Sequence, residues 1–411
     1  MRKSTIIGGG QSGLMLAVGL QKAGHQVRVV QNRTGEEIEK GRVLSSQCMF
    51  SNAVQHEADL GLDFWSESCP PVQGINFIVP TPDGSGTKLI DWTGKLERNA
   101  YAVDQRVKMP RWLTEFQKLG GQLVIKDAGI AEIETYARED DLVIVASGKG
   151  EVGAMFARDA RKSAYDKPMR ALALTYVTGM TPRQPHSAVE FNLIPGVGEY
   201  FVFPALTTSG PCEIMVFEGI PGGPMDCWAD VKTPEQHLEK SLWILKTFLP
   251  WEYDRSKDCK LTDDNGILAG RFAPTIRHPV ATLPSGRKVL GLGDAVCLND
   301  PITGQGSNNA SKAAAIYLQS ILSHGDRPFD EAFMQATFTR FWDYAQWVVQ
   351  WTNMLLLPPP PFILDIMGNA CVLPKLAERM ANGFDDPRDF FPWFADPAAA
   401  AAYLDQLRKA A

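Results

Sequence analysis

The chain has 411 residues, 45% of them hydrophobic, enough to bury a large core and to build two or three domains. A net charge of −6 denies it the basic field that nucleic acid or anionic lipid demands. Seven Cys without CxxC spacing read as reduced thiols, and Met1-Arg2-Lys3 leads straight into a strand with no signal peptide, so the expected location is the cytoplasm.

Lys3 to Ile7 reads as a buried strand running into Gly8-Gly9-Gly10-Gln11-Ser12-Gly13 and a helix from Leu14 to Ala23. In this GxGxxG turn Gly8 permits the tight bend, Gly10 lets backbone approach a pyrophosphate, and Gly13 lets helix and strand pack closely. The phosphates are expected on the amides of the helix start, at Gln11, Ser12 and Gly13. Gly24 caps the helix and Gln26 to Val30 is the second strand of the unit. The acid expected at its end to bind a ribose is replaced by Gln31, whose amide can still make one hydrogen bond. Looser cofactor retention is expected, and Gln31→Glu is expected to tighten it.

The stretch from Cys48 to Asp91 is rich in Pro, Gly and Trp and holds an alternating strand from Gly74 to Val79. Asp104-Gln105-Arg106 precedes an amphipathic helix over Arg111 to Leu119, Gly120-Gly121 ends it, and Gln122 to Lys126 forms another strand. Asp141 to Gly148 is a further buried strand with a glycine turn. Between Leu172 and Phe217 the pattern turns β-like, notably over Ala171 to Val177, Glu199 to Phe203 and Glu213 to Phe217. A mostly antiparallel sheet there can wall a pocket, in which Phe191, Phe203 and Phe217 are either lining or ordinary sheet core.

Lys288 to Ala295 is a second apolar strand, ending in Gly293-Asp294. Asp294 is suited to accept from a ribityl hydroxyl. Asp300-Pro301-Ile302-Thr303-Gly304-Gln305-Gly306-Ser307-Asn308 then leads into a helix near Asn309. That helix's positive end faces a flavin pyrimidine, with Gly304 and Gly306 admitting close backbone approach. The GxGxxG and the Gly-Asp strand together point to FAD. From Phe329 onward the spacing is helical, and the apolar run Met354 to Leu357 is stopped by Pro358 to Pro361, so no membrane span is expected.

The expected architecture is α/β: a Rossmann-like FAD-binding domain from residues 1–46, 96–165 and 266–325, an interleaved antiparallel-sheet substrate domain from 47–95 and 166–265, and a helical region over 326–411. The six His show no metal-ligand spacing and no GxSxG marks a hydrolase. The acid pairs Asp140-Asp141, Asp263-Asp264 and Asp385-Asp386 read as solvated turns.

With Gly41-Arg42, Ala102-Val103-Asp104, Ser147-Gly148-Lys149, Lys167-Pro168 and Trp351-Thr352-Asn353 added to the glycine motifs, nearly the whole chain resembles the two-component styrene and indole monooxygenases, flavoproteins of the para-hydroxybenzoate-hydroxylase-like fold. The resemblance implies an oxygenase component that takes reduced, diffusible FAD from a separate NADH-dependent flavin reductase. It then transfers one atom of O2 to an alkene by way of a flavin C4a-hydroperoxide. Agreeing with this, the chain has no second GxGxxG for a nicotinamide domain. Its Ser147-Gly148 also stands where single-component hydroxylases carry Asp-Gly.

Styrene-preferring members resemble one another in an Asn, Val, His, then Tyr, His, Ser set; this chain carries Ser45, Gln47, Met49, Val72, Ile75 and Ala100 there, which is similar to the indole branch. Such a slot suits a flat bicyclic ring. The resemblance therefore implies Arg42, Ser45, Gly304 and Gln305 as catalytic, and Gln47, Met49, Val72, Ile75 and Ala100 as substrate pocket. The FAD set is Gly8, Gly10, Gln11, Ser12, Gly13, Gln31, Arg42, Gln105, Arg106, Gly148, Gly293, Asp294, Pro301, Gly304, Gly306, Ser307 and Asn308, with no metal. The expected reaction is epoxidation of indole, leading to indoxyl and indigo, and of styrene-type alkenes, by a homodimer. The alternatives are a styrene monooxygenase proper, a flavin-dependent halogenase, whose Trp-x-Trp-x-Ile-Pro motif is absent here, and a non-catalytic carrier on the same fold.

Overall fold

In the computed structural model, residues 1–82, 86–148 and 150–410 are described; Lys149 of the Ser147-Gly148-Lys149 match lies outside them. The first unit forms as expected: β1 (Lys3–Ile7), α1 (Gln11–Lys22) and β2 (Gln26–Gln31), with Gly24 at φ 85° just past the helix end. Short helices α2 (Gly35–Glu39) and α3 (Ser51–Asp59) lead to a long hairpin, β3 (Pro71–Pro80) and β4 (Lys88–Tyr101). The chain then returns to the first sheet through α4 (Gln105–Lys118), β5 (Gln122–Ile125), α5 (Ile130–Glu139), β6 (Leu142–Val145) and α6 (Gly150–Ala154). Helix α4 starts six residues before the expected Arg111, because the Asp104 carboxylate accepts from the Arg106 amide at 2.8 Å and caps it.

An antiparallel run follows: β7 (Ala171–Thr178), β8 (Val189–Ile194), β9 (Gly198–Thr207) and β10 (Gly210–Gly219), backed by α7 (Pro234–Phe248) and α8 (Pro250–Ser256). Strands β11 (Lys260–Leu261) and β12 (Ile267–Gly270) pair with β7. Short strands β13 (Thr275–Ile276), β14 (Val280–Thr282), β15 (Lys288–Gly291) and β16 (Cys297–Leu298) precede the helices α9 (Gly306–His324), α10 (Glu331–Leu355), α11 (Pro361–Ala370), α12 (Pro374–Asn382) and α13 (Pro397–Ala410).

Two sheets result. The first runs β14-β15-β6-β1-β2-β5, parallel except for its edge strand β14, and α1 crosses over from β1 to β2. The second runs β11-β7-β10-β9-β8-β3-β4, antiparallel except where β3 meets β8. The α/β architecture matches expectation, with two shifts at the joins. Residues 96–101, expected with the FAD-binding domain, are the end of β4 in the second sheet, and 267–270 pair with β7 there. The C-terminal helices are not a separate layer either. Phe333, Phe338 and Phe341 of α10 pack into the core of the first sheet, while Trp351, one end of the same helix, packs into that of the second.

The acid pairs are not free solvated turns. Asp140 accepts from Thr5, Asp263 from Arg106 at 2.9 Å, and Asp385 from the Asn52 amide at 2.9 Å.

Candidate active site

Strands β15, β6 and β1 are neighbours, so the three glycine turns at their carboxyl ends converge. Gly8 adopts φ 109°, and a Cβ there would lie 2.9 Å from the Ala146 carbonyl carbon. A Cβ on Gly13 would lie 2.1 Å from the Gly8 oxygen, so helix α1 needs that glycine to pack on its strand. At Gly148 the Asp294 oxygen would be 2.9 Å away, and at Gly293, φ 62°, the Ser12 hydroxyl would be 2.6 Å away. Gly10 differs from all of these. It is exposed, its Cβ would meet nothing within 4 Å, and the α1 start it precedes has no side-chain cap. Space and unpaired amides are what a pyrophosphate requires.

The second wall is the loop before α9. Asp300 caps the turn Pro301–Thr303 by accepting from the Ile302 amide at 3.2 Å, and Gly304 follows at φ 64°. Gly304 and Gly306 are exposed with open space where a Cβ would be, whereas Gln305 between them is buried and donates to the Phe384 carbonyl at 2.8 Å. Asn308 fixes the loop from below, donating to the Cys48 and Gly304 carbonyls at 2.8 and 3.0 Å and accepting from the Phe50 amide at 2.8 Å. Ser307 presents its carbonyl to Gln11 at 3.1 Å, and the exposed Asp294 closes the cleft from the strand side.

Gln11 joins the two helix starts. Its amide nitrogen donates to Ser311 of α9 at 2.9 Å, and its oxygen accepts from Gln105 of α4 at 3.0 Å. Behind it, Lys108 and Glu57 form a buried pair at 2.8 Å; burial pushes the Glu57 carboxyl upward while the lysine charge opposes the rise. An open Gly10, two uncapped helix starts aimed into one cleft, and glycines rather than side chains on the facing loop fit FAD. The residues present that would hold it are those at Gly8 to Gly13, Gly148, Gly293-Asp294 and Pro301 to Asn308.

Other expected site residues lie elsewhere. Arg106 is consumed by Asp104 at 2.9 Å, Asp263 at 2.9 Å and Thr207 at 3.1 Å, so its guanidinium ties α4 to the second sheet instead of facing the cleft. Gln31 spends its amide nitrogen on the Arg33 carbonyl at 2.6 Å and lies against Gly9. Arg42 is exposed on the segment after α2. Ser45 donates to Gln47 at 3.0 Å while its own carbonyl accepts from Tyr176 at 2.9 Å.

An apolar cavity lies between the second sheet and the C-terminal helices. Ile75, Phe77, Trp92 and Phe191 come from the sheet; Trp351, Leu355, Met367, Met380, Phe384, Phe390 and Phe394 come from the helical side. It continues past Ile302 of the glycine loop to Leu357, Pro359, Pro360 and Leu364 near the surface. Trp351 sets the wall, meeting Phe384 edge-on at 4.8 Å and stacking on Phe390 at 4.8 Å.

Of the five expected pocket residues Ile75 alone lines this cavity. Val72 and Ala100 face each other across the β3–β4 hairpin, both 0% exposed. Met49 turns its sulfur toward Gln11 at 3.4 Å, and Gln47 is spent on the Val103 carbonyl. Phe191 lines the cavity, whereas Phe203 and Phe217 are sheet core. The helical aromatics went unassigned in the sequence, although their density after Phe384 was a signal.

Residues 148–255, which include β7 to β10, match the family described as "Styrene monooxygenase A putative substrate binding domain". The chain is 28% identical to the styrene monooxygenase StyA of Pseudomonas fluorescens over 98% of its length and 97% of the relative's. It is 27% identical to StyA of a Pseudomonas species over the same shares. Among solved structures, the flavin-dependent brominase Bmp2 superposes with a TM-score of 0.66 at 14% identity, over 99% of both chains, a likeness of fold. The matched domain and the two full-length similarities are thus all to styrene monooxygenases.

Proposed function

We propose that the chain is the oxygenase component of a two-component flavin monooxygenase that epoxidises the 2,3 double bond of indole, giving indoxyl and then indigo, and also takes styrene-type alkenes. Its reduced FAD comes from a separate NADH-dependent flavin reductase. The observation that carries this reading is the apolar, aromatic-walled cavity that shares Ile302 with the glycine loop, so that cofactor cleft and substrate space meet at one turn.

When bound in reduced form with O2, FAD supplies an electrophilic oxygen atom to a neighbouring alkene. The chain's residues have the remaining tasks. The amides after Gly10 and the Asp294 carboxylate would hold the cofactor, and the amides of Gly304 to Gly306 would supply donors where negative charge develops on it. Trp351, Phe191 and Phe390 orient a flat substrate ring, and the apolar lining excludes water that would waste the oxygen as hydrogen peroxide. Glu199, the charged residue of the lining, is neutralised by Arg170 at 2.6 and 2.8 Å and offers no base to the substrate. A neutral electron-rich bicycle matches this lining, and Ile75, which is part of it, is one of the positions that resemble the indole branch. We further take the protein to be a cytoplasmic homodimer; among the described residues no helix is long and apolar enough to cross a membrane.

The test supplies NADH, FAD and a generic flavin reductase with indole or styrene and follows blue pigment and epoxide. Product from indole supports the proposal. Complete diversion of O2 into hydrogen peroxide with both substrates rejects it, and turnover that requires chloride or bromide points to the halogenase instead.

A further inference from the structure

Beneath the glycine loop lies a group of acids that the proposed chemistry leaves without a task. Glu218 on β10 faces Glu199 on β9 in direct register. Glu218 is 0% exposed, and both its carboxyl oxygens are buried with no hydrogen-bond donor among the described residues. Asp300, 1% exposed, has its carboxyl within hydrogen-bonding reach of the Glu218 carboxyl and caps the loop's first turn through the Ile302 amide. The cation facing this group is Arg170, and its guanidinium is already bidentate to Glu199. Tyr165, also close by, donates its hydroxyl to the Asn353 carbonyl at 3.0 Å.

Three carboxyls and one guanidinium do not balance in a dry site. Arg170 cancels Glu199. Glu218 and Asp300 are left side by side, and two adjacent buried carboxylates cannot both stay ionised. Burial, the Asp300 charge and Glu199 raise Glu218 well above the ordinary carboxylate range, and burial raises Asp300 too. A single proton between them resolves the unpaired oxygens. The protonated carboxyl donates to its neighbour, and the neighbour keeps the charge with which it caps the loop.

We propose that Glu218 and Asp300 share one proton and form a positioning pair under the Pro301–Gly306 loop, setting the charge on which that loop rests. The proposal builds on the FAD reading. With the proton in place one negative charge underlies the loop; when it is lost to solvent at alkaline pH there are two, and the loop amides are drawn inward, away from an anionic flavin ring edge.

The experiment begins with the ligand-free protein. Infrared difference spectra between wild type and Glu218→Gln are expected to show one protonated-carboxyl C=O band lost in the variant, and a pH titration of wild type is expected to remove that band only in the alkaline range. So that a folding defect in one variant does not decide the result, Glu218→Met provides a second, apolar replacement that also removes the band. If neither variant removes a protonated-carboxyl band at neutral pH, the shared proton is refuted. FAD titrations supply the second readout: the dissociation constant of reduced FAD is expected to rise several-fold at alkaline pH in wild type and to stay flat in Glu218→Gln, whose amide donates permanently. Equal pH profiles for the two overturn the positioning role. A missing band beside normal FAD binding defeats this pair alone, whereas a band in a protein that binds no FAD defeats the cofactor reading alone.

Discussion

Thr303 and Thr352 place their buried hydroxyl oxygens 2.7 Å apart, which fastens the glycine loop to helix α10 at the residue next to Trp351. The wall of the apolar cavity and the loop that faces the cofactor cleft are thereby one mechanical unit. Thr352→Val keeps the shape and leaves the Thr303 hydroxyl without its partner, a loss of about 1–3 kcal/mol. A lower thermal midpoint is expected, together with a larger fraction of O2 released as hydrogen peroxide, while Thr352→Ser is expected to behave as wild type. Wild-type coupling in the valine variant would separate the loop from the cavity.

The two glycines of the first turn are expected to respond in opposite ways. A methyl at Gly10 meets nothing within 4 Å, so Gly10→Ala folds normally but fills the space left for phosphate, and FAD affinity falls. At Gly13 the new carbon lies 2.1 Å from the Gly8 oxygen, so Gly13→Ala loses stability. Thermal melts without ligand and FAD titrations distinguish the two; a Gly10→Ala protein with undiminished FAD affinity removes the phosphate from this turn.

Gln31→Glu, which the sequence alone favours as a tightening change, meets an obstacle in the structure. The amide nitrogen donates to the Arg33 carbonyl at 2.6 Å, and a carboxylate would set acceptor against acceptor there. The two effects oppose, and we expect no tighter FAD binding together with a modest loss of stability, on the order of 1 kcal/mol. A calorimetric titration showing clearly improved affinity would mean that the side chain swings out toward the ribose.

The opening βαβ unit was legible because its elements are local: strand, glycine turn and helix follow within Lys3–Lys22, and the residue spacing alone fixes them. Helix α7 carried an equally local signal that was passed over, Thr233-Pro234 with Gln236 at the third position, which forms a capping box in the structure. The 14-residue β4 was harder, since its exposed run of Glu97, Arg98 and Asn99 looks like loop and it is the pairing with β3 that makes it a strand. The cofactor cleft could be inferred from motifs, but the cavity could not. Its lining comes from β3, β4, β8, α10, α11, α12 and the segment around Phe390, and no sequence spacing records that Trp351 and Phe384 meet at 4.8 Å.

His237 gives the fold an acid limit. Its Nε2–H donates to the Leu174 carbonyl at 3.1 Å and its ring lies 4.6 Å from Trp228; burial, opposed by that hydrogen bond and aided by the Arg42 charge, lowers its pKa to about 4. The folded state therefore binds fewer protons than the unfolded one between the ordinary histidine value and about 4. Stability from this group is complete above pH ~6.5 and is lost as the pH falls toward 4, on the order of 3 kcal/mol in all. Denaturant unfolding at stepped pH is expected to give a shallower acid slope for His237→Gln, and parallel slopes for the two proteins would show that the ring is not held neutral.

Leu355 lines the cavity both at its aromatic end and along the stretch that passes Ile302, while being partly exposed itself, so it can be enlarged without overfilling the core. Leu355→Trp is expected to lower kcat/KM for indole and styrene by at least about tenfold, because it takes the volume that the ring needs. FAD affinity and thermal stability are expected to stay near wild type, since the side chain touches neither the Gly8–Gly13 turn nor Asp294. Leu355→Ala works in the other direction and is expected to admit bulkier rings at the expense of coupling. If both variants kept wild-type kinetics toward both substrates, the alkene would have to bind somewhere other than between β8 and α10, and Trp351 would be a packing residue only.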